Sequence, residues 1–311
     1  MKESNMNFIQ NIGGGAKSFI LDVIRGIAIG VAFIIPGFSG GSVAAILGIY
    51  EKLVNSIADL FKSFTKSIKT LLPIAIGMVI GILGLLYPLS WALEAFPIPT
   101  VCLFVGLAIG GLPSITDKLS GKPKPYYALS LLLPLAAALC LSFLPIGADV
   151  NLFDLNVGGY VLLFIVGVVG SAALVVPGIS GSMLLLILGY YNPIVDLATN
   201  HFLKGKDIGT SVLVLGCAGI GIIVGFILIS VIMKLLLKHC PRGTYYAILG
   251  FILGSLPTVF ISTAKESGLT FSALMPHAGY WVASALLLIL GIALSLSLII
   301  YAKKSKIQSA H

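Results

Sequence analysis

The sequence predicts an all-α polytopic membrane protein made of two inverted five-segment repeats, each opening with a broken or re-entrant helix hairpin. Three observations predict it. The 311 residues are 58% hydrophobic and only 10% charged, with a mean hydropathy of +1.09. A soluble domain of this size cannot hide that much apolar surface, and several runs approach the roughly 20 apolar residues that cross a bilayer. The stretch "PGFSGGSVAAILGIYEKL" (Pro36–Leu53) returns as "PGISGSMLLLILGYYNPI" (Pro177–Ile194). The lysines and arginines gather on one set of loops. Lipid offers backbone N–H and C=O groups no partner, so the spanning elements are helices.

In chain order, residues 1–18 read as a polar cytoplasmic leader. No small-x-small cleavage site follows a short apolar core, so no cleavable signal is expected. "GGGAKS" (Gly13–Ser18) is not a phosphate loop: Ala16 stands where the pattern needs Gly before Lys, Asn11 stands where it needs the upstream Gly, and no strand precedes it. Ten apolar segments follow, at about 19–35, 42–61, 71–93, 98–115, 126–145, 158–176, 182–203, 210–236, 244–261 and 280–301. The first five make repeat 1 (19–145), residues 146–157 an extracytoplasmic linker, the last five repeat 2 (158–301), and residues 302–311 a cytoplasmic tail.

The duplication rests on two blocks. At an offset of 141, Pro36, Gly37, Ser39 and Gly40 fall on Pro177, Gly178, Ser180 and Gly181, and Leu47, Gly48 and Tyr50 on Leu188, Gly189 and Tyr191. Gly41 falls on Ser182 and Ser42 on Met183, so the second copy keeps a serine one position earlier. At an offset of 144, "GMVIG" (Gly77–Gly81) falls on "GIIVG" (Gly221–Gly225), and Pro97, Thr100, Gly106, Gly110 and Pro113 on Pro241, Thr244, Gly250, Gly254 and Pro257. The shift of three is one small loop insertion. Internal duplication of this kind is a transporter signature.

Parity sets the relation of the copies. Five crossings per unit, or three with a re-entrant first pair, both make the second copy enter from the opposite face. Only a first pair forming one broken crossing would make the copies parallel. With the N-terminus in the cytoplasm, the inside stretches hold Lys2 and Lys17, Lys62 to Lys69, Lys118 to Lys124, Lys234 to Arg242, and Lys303 to Lys306. The outside loops hold only Lys204, Lys206 and Lys265. Lys and Arg favour the cytoplasmic side of short loops. Both termini are therefore expected in the cytoplasm, and the repeats inverted.

The breaks are the first candidate site. Pro and Gly end one helix, and the Ser-Gly cluster opens the next, with Ser a favoured N-cap. Glycine lets backbone N–H groups reach a ligand, and a helix N-terminus is an anion site. Inverted re-entrant hairpins would bring two such ends to the membrane centre, where transporters bind substrate. The candidate residues are Gly37, Ser39, Gly40, Gly41 and Ser42 in the first motif, and Gly178, Ser180, Gly181 and Ser182 in the second. The alternative is a Pro-Gly kink whose serines satisfy local backbone.

Arg25 and Glu51 come next. An ionised side chain inside an apolar segment costs roughly 2.5–3.5 kcal/mol or more unless paired or wetted. Counted at about 1.5 Å per residue, both sit roughly 20 Å from the tip of the first motif and face each other near the cytoplasmic mouth. Their counterparts are Val166 and Asn192. One reading is an ion pair stapling the hairpin. The other is a headgroup contact from Arg25 and a proton-titrating role for Glu51. Asp22, one turn from Arg25, is a second partner for it, and Lys52 is expected to reach the surface.

Other features are read as structural. The basic residues are spread over short loops, so no nucleic-acid partner is expected. Cys102, Cys140, Cys217 and Cys240 have no paired spacing, which argues against disulfides and zinc. The four histidines lie in loops or at ends and have no ligand spacing. No catalysis is assigned to them. Tyr50, Tyr191, Trp91 and Trp281 read as interfacial aromatics, and Gly106–Gly110 and Gly250–Gly254 as close-packing helix faces.

At "RGIAIGVAFIIPGFSGGSVAAILGIYEKL" (Arg25–Leu53) and "GSAALVVPGISGSMLLLILGYY" (Gly170–Tyr191) the sequence resembles the bacterial polyprenyl-phosphate transporter family, long filed as a domain of unknown function. Length, duplication and segment order extend the resemblance over nearly the whole chain. It implies a non-enzymatic protein of the bacterial cytoplasmic membrane that returns undecaprenyl phosphate from the outer to the inner leaflet, recycling the lipid carrier of cell-wall synthesis. The partners implied are the polyprenyl phosphate lipid and the membrane. No cofactor is implied beyond a coupling proton or cation. Two readings compete with it. One is a secondary transporter or channel for a small soluble anion. The other is an intramembrane lipid phosphatase, which needs a basic residue and an acid/base or nucleophile beside the phosphate. "SGGS" and "SGS" contain no arginine, and no histidine lies near them in sequence.

Overall fold

The computed structural model of the chain describes residues 18–33, 39–119, 124–145, 147–179, 181–267 and 278–308, and every regular element among them is a helix. In chain order these are α1 (18–33), α2 (Gly40–Ile46), α3 (Tyr50–Ala58), α4 (Phe64–Ala95), α5 (Pro97–Gly111) and α6 (Pro113–Thr116), which tightens into a 3-10 turn at Asp117–Leu119. Then come α7 (Pro125–Phe143), α8 (Val157–Val175), α9 (Gly181–Ile187), α10 (Tyr191–Asp196) with a π-helical turn at Leu197–Phe202, α11 (Ile208–His239), α12 (Pro241–Ser267) and α13 (Ala278–Gln308). Among the described residues, five stretches are long and apolar enough to cross a membrane: Phe64–Ala95, Pro97–Leu119, Ile208–His239, Pro241–Thr263 and Ala278–Ser297. Leu83 on α4, Ile223 on α11 and Leu286 on α13 leave about three-fifths or more of their surface open, as a lipid-facing shell requires. The chain is a polytopic, all-helical membrane protein.

Local chemistry sets the helix starts. Pro97, Pro125 and Pro241 open α5, α7 and α12, where a missing N–H costs nothing. Asn156 caps α8 by accepting the Gly159 N–H at 2.8 Å. Element boundaries pair off across the chain. α2 and α9 span seven residues each, and 40 + 141 = 181. α4 and α11 span 32 residues each, and 64 + 144 = 208.

Two expected segments are interrupted at a left-handed glycine. Segment 42–61 is divided into α2 and α3, and segment 182–203 into α9, α10 and a π-helical turn. The cause is Gly48 and Gly189, with φ of +68° and +76°. At the first, the Gly48 N–H donates to Ala45 and the Ile49 N–H to Ala44. At the second, Gly189 donates to Leu186 and Tyr190 to Leu185. Both are the reverse-turn C-cap that a left-handed glycine allows.

Helices meet through glycine faces. A Cβ on Gly77 would lie 2.1 Å from the Val23 carbonyl oxygen, so α1 and α4 touch backbone to backbone. One on Gly221 would lie 2.4 Å from that of Phe164, joining α8 and α11 in the same way. The last helices are exchanged. Gly106 of α5 lies against Leu288 of α13, and Gly250 of α12 against Leu131 of α7. The Gly106 and Gly250 faces thus pack as expected. A main core joins α1, α2, α3, α5 and α12 through Ile29, Ala44, Val54, Val101 and Ile248. A smaller one holds Leu152, Leu163, Val166, Leu197 and Val214.

Loops cluster in two groups. Asp59 pairs with Lys234, Glu51 with Lys118, and Tyr127 stacks on Tyr246 at 4.9 Å between ring centres. Away from these, Asn192 donates to Asp149 at 3.2 Å and the Gly147 N–H to Leu186 at 3.2 Å, while Phe153 lies 4.7 Å from the His201 ring. α11 leaves the second group at Asp207, which contacts His201, and reaches the first at Lys234.

Candidate functional site

The two Ser-Gly breaks touch. Ser39 precedes α2 in extended conformation, and its carbonyl oxygen accepts the N–H groups of Ser42 (3.0 Å) and Val43 (3.3 Å). Its hydroxyl donates to the carbonyl oxygen of Ala173 near the end of α8, at 3.4 Å and 134 positions away. Gly41 faces the same strip of chain: a Cβ there would lie 3.1 Å from the Val175 oxygen and 3.3 Å from the Pro177 nitrogen. Ser39 therefore serves distant backbone rather than a local kink. Ser42, one residue on from Gly41, is 2% exposed, and its hydroxyl has no hydrogen-bond partner among the described residues.

The remaining motif positions divide by contact. Gly40 turns into its own hairpin, where a Cβ would lie 2.8 Å from the Phe33 ring and 3.2 Å from Ile29. Gly178 has φ of +86° and presses on α12, where a Cβ would lie 2.4 Å from the Phe251 oxygen. Gly181 is roomier, its nearest neighbour being the Ala173 Cβ at 3.6 Å. Ser182 falls in the first turn of α9. Gly37, Ser180 and the side chain of Ser182 lie outside the described residues. The expected row of free N–H groups is shortened, because α2 and α9 are about two turns long and Ser39 already binds two N–H groups of α2.

Arg25 and Glu51 do not pair. Arg25 donates to one oxygen of Asp22 at 3.1 Å, and Lys52 to the other at 2.5 Å. Asp22 is 4% exposed and thus holds two cations. Lys52 is exposed, as expected, and from there also reaches Asp22 of α1. Glu51 accepts the hydroxyl of Tyr245 on α12 and the Lys118 ammonium at 3.4 Å. The break at Gly48 is the physical reason: it re-aims α3, so Lys52 rather than Glu51 looks at α1. Tyr50 is also not interfacial. It is buried, and its hydroxyl has no partner among the described residues. Trp91 and Trp281 are exposed, as interfacial side chains are. No group of metal-ligating side chains occurs among the described residues.

Tyr50 and Tyr245 are the site residues that sequence reasoning missed. The match of Tyr50 with Tyr191 was the available signal for the first. Nothing in the pattern marks Tyr245, which reaches Glu51 from the other half of the chain.

A lipid-facing helical bundle whose duplicated, broken helices meet in its interior belongs to the class of internally duplicated integral membrane proteins. Residues 29–273 match the family model described as undecaprenyl phosphate translocase-like, and the chain belongs to that family. It is 32% identical over 284 residues to the polyprenyl-phosphate transporter of Staphylococcus aureus (strain NCTC 8325 / PS 47), covering 89% of this chain and 95% of that one. A protein of the same name from Vibrio cholerae serotype O1 is 30% identical over 112 residues, 32% of this chain and 36% of its own. No solved structure matches. The family is named for translocation, and the chain is not an enzyme.

Proposed function

We propose that the chain carries undecaprenyl phosphate across the cytoplasmic membrane, returning the lipid carrier used in cell-wall synthesis. The phosphate is held where the two Ser-Gly breaks meet, and the prenyl tail stays in lipid. The observation that carries this reading is the Ser39–Ala173 contact, with the buried, unpartnered Ser42 hydroxyl beside it. A buried hydroxyl without a partner is costly unless a ligand uses it. Family membership and the names of the relatives support the substrate.

The two repeats, 19–145 and 158–301, are inverted and their opening hairpins re-entrant, with both termini in the cytoplasm. The loop clusters support this. Lys234, in the last third of α11, lies beside Asp59, just ahead of the start of α4, although α4 and α11 are repeat-related. α2, at about 10 Å, is too short to cross a bilayer core of about 30 Å. Arg25 contributes charge at the mouth, and Glu51 contributes the carboxylate that Tyr245 and Lys118 hold there.

The test is transfer of labelled undecaprenyl phosphate between leaflets of proteoliposomes holding the purified protein. The phosphate is expected to move and the free polyprenol to neither move nor compete. Equal competition by polyprenol would remove the phosphate site from the proposal.

A further inference from the structure

We propose that the mouth of the first hairpin is a second, one-sided headgroup site: a cup that binds a phosphate monoester borne on an apolar chain. α1, α3 and α4 wall a cavity of about 490 Å³, into which Lys52, Lys66, Lys69, Thr65 and Thr70 converge around Asp22. This inference rests on the transport reading for the length of the chain carried, not for the anion.

The charges do not cancel. The two oxygens of Asp22 are taken by Arg25 and Lys52, which leaves one positive charge in surplus. Lys66 and Lys69 have no anionic partner among the described residues. The nearest acids of the adjoining elements are engaged elsewhere, Asp59 with Lys234 and Glu51 with Lys118 and Tyr245. Asp22 is buried, so it fixes the Lys52 head in place. Ammonium and hydroxyl donors converging on one space suit phosphate oxygens.

The second half shows that the fold does not need these groups. At the repeat-related positions Asp22 becomes Leu163, Arg25 becomes Val166 and Thr70 becomes Val214, from 22 + 141, 25 + 141 and 70 + 144. Leu163, Val166 and Val214 are sealed in the smaller apolar core. Replacing a buried ion pair by apolar packing is often neutral or stabilising. The first half keeps the charges although the same framework closes without them, which points to binding rather than stability.

The surroundings assign the ligand to a lipid rather than to free phosphate. Phe19 on α1 and Phe64 on α4, each next in sequence to a residue that lines the cup, Ser18 and Thr65, are exposed. A phosphate seated on the lysines leaves its first isoprene units against this apolar rim. The second half offers no such cup, so a headgroup is captured from one end of the molecule only.

The experiment uses the full chain in phosphatidylcholine nanodiscs, with farnesyl phosphate, farnesol and inorganic phosphate as probes. Lys66→Gln/Lys69→Gln is expected to weaken farnesyl phosphate at the mouth at least tenfold, so that one of two bound equivalents is lost, and to leave farnesol unchanged. Lys66→Arg/Lys69→Arg is expected to restore binding. Both lysines are exposed, so neither change disturbs packing. Two undiminished farnesyl phosphate equivalents in the glutamine variant overturn the cup. Inorganic phosphate binding as tightly as farnesyl phosphate overturns the lipid assignment. Transport by the wild type is measured separately. If it fails while the variant still loses farnesyl phosphate, the transport reading falls and the cup stands. If transport succeeds while binding is indifferent to the variant, the cup falls alone.

Discussion

The Tyr245 hydroxyl donates to the Glu51 carboxylate across 194 positions, tying the start of α12 to the start of α3. Lys118 reaches the same carboxylate oxygen at 3.4 Å and lies 5.7 Å from the centre of the Tyr245 ring. One acid thus gathers a cation and a phenol from both halves of the chain. Glu51→Gln keeps the shape and removes the charge. It is expected to insert normally and to lower transport severalfold, whereas Tyr245→Phe should cost only about 1 kcal/mol of stability, because solvent screens the half-exposed carboxylate. Proteoliposome transport and thermal unfolding of both variants check this, and full activity in Glu51→Gln would remove it from the mechanism.

Ser42→Ala separates stability from binding. The wild-type hydroxyl is buried without a described partner, so its removal should leave unfolding unchanged or raise stability by up to about 1 kcal/mol. Affinity for polyprenyl phosphate should fall. A variant that is less stable and binds as well as wild type would show that the hydroxyl serves the fold.

The glycines of the breaks should rank by their neighbours. Gly178→Ala meets the Phe251 oxygen at 2.4 Å on a left-handed backbone and should destabilise by roughly 1–3 kcal/mol. Gly41→Val should force the two breaks apart at Val175–Pro177. Gly181→Ala has room and should fold normally. Chemical denaturation of the three variants reads the order directly.

Copying the second half onto the first gives a sharper test of the cup. Asp22→Leu/Arg25→Val/Thr70→Val reproduces Leu163, Val166 and Val214. The triple variant should fold with a melting temperature at or above that of the wild type and, because Lys52, Lys66 and Lys69 remain, weaken rather than abolish farnesyl phosphate binding at the mouth, through loss of Thr70 and of the Asp22 anchor for Lys52. A variant that fails to fold would mean that the ion pairs are needed for stability.

Membrane sidedness can be read at one pair of repeat-related positions. Ser63 and Asp207 precede α4 and α11, and 63 + 144 = 207. In a cysteine-free background, Ser63→Cys should react with an impermeant thiol reagent only from the cytoplasm and Asp207→Cys only from outside. Labelling from one side alone would make the repeats parallel.

The duplication is legible to the residue, because Pro97 and Pro241, or Gly40 and Gly181, mark helix starts by backbone chemistry that needs no tertiary context. The breaks at Gly48 and Gly189 are not. Apolar residues flank both, so hydropathy runs straight through a reversal that only φ reveals. The consequence reaches further: counting 1.5 Å per residue across Gly48 sets Glu51 opposite Arg25, where Lys52 and Asp22 stand instead. Tyr245 is invisible for another reason. Its partner belongs to the other half of the chain, and no periodicity encodes such a contact.

The exchange of last helices has a mechanical result. α13 rests on α5 and α12 on α7, so each half carries the other's closing helix. The two sequence units cannot rock past one another as separate bodies, since every such motion would drag a helix through its glycine seam. Any hinge must run between helix pairs drawn from both units. A gene severed between residues 145 and 157 would likewise yield two fragments that complete their packing only by finding each other.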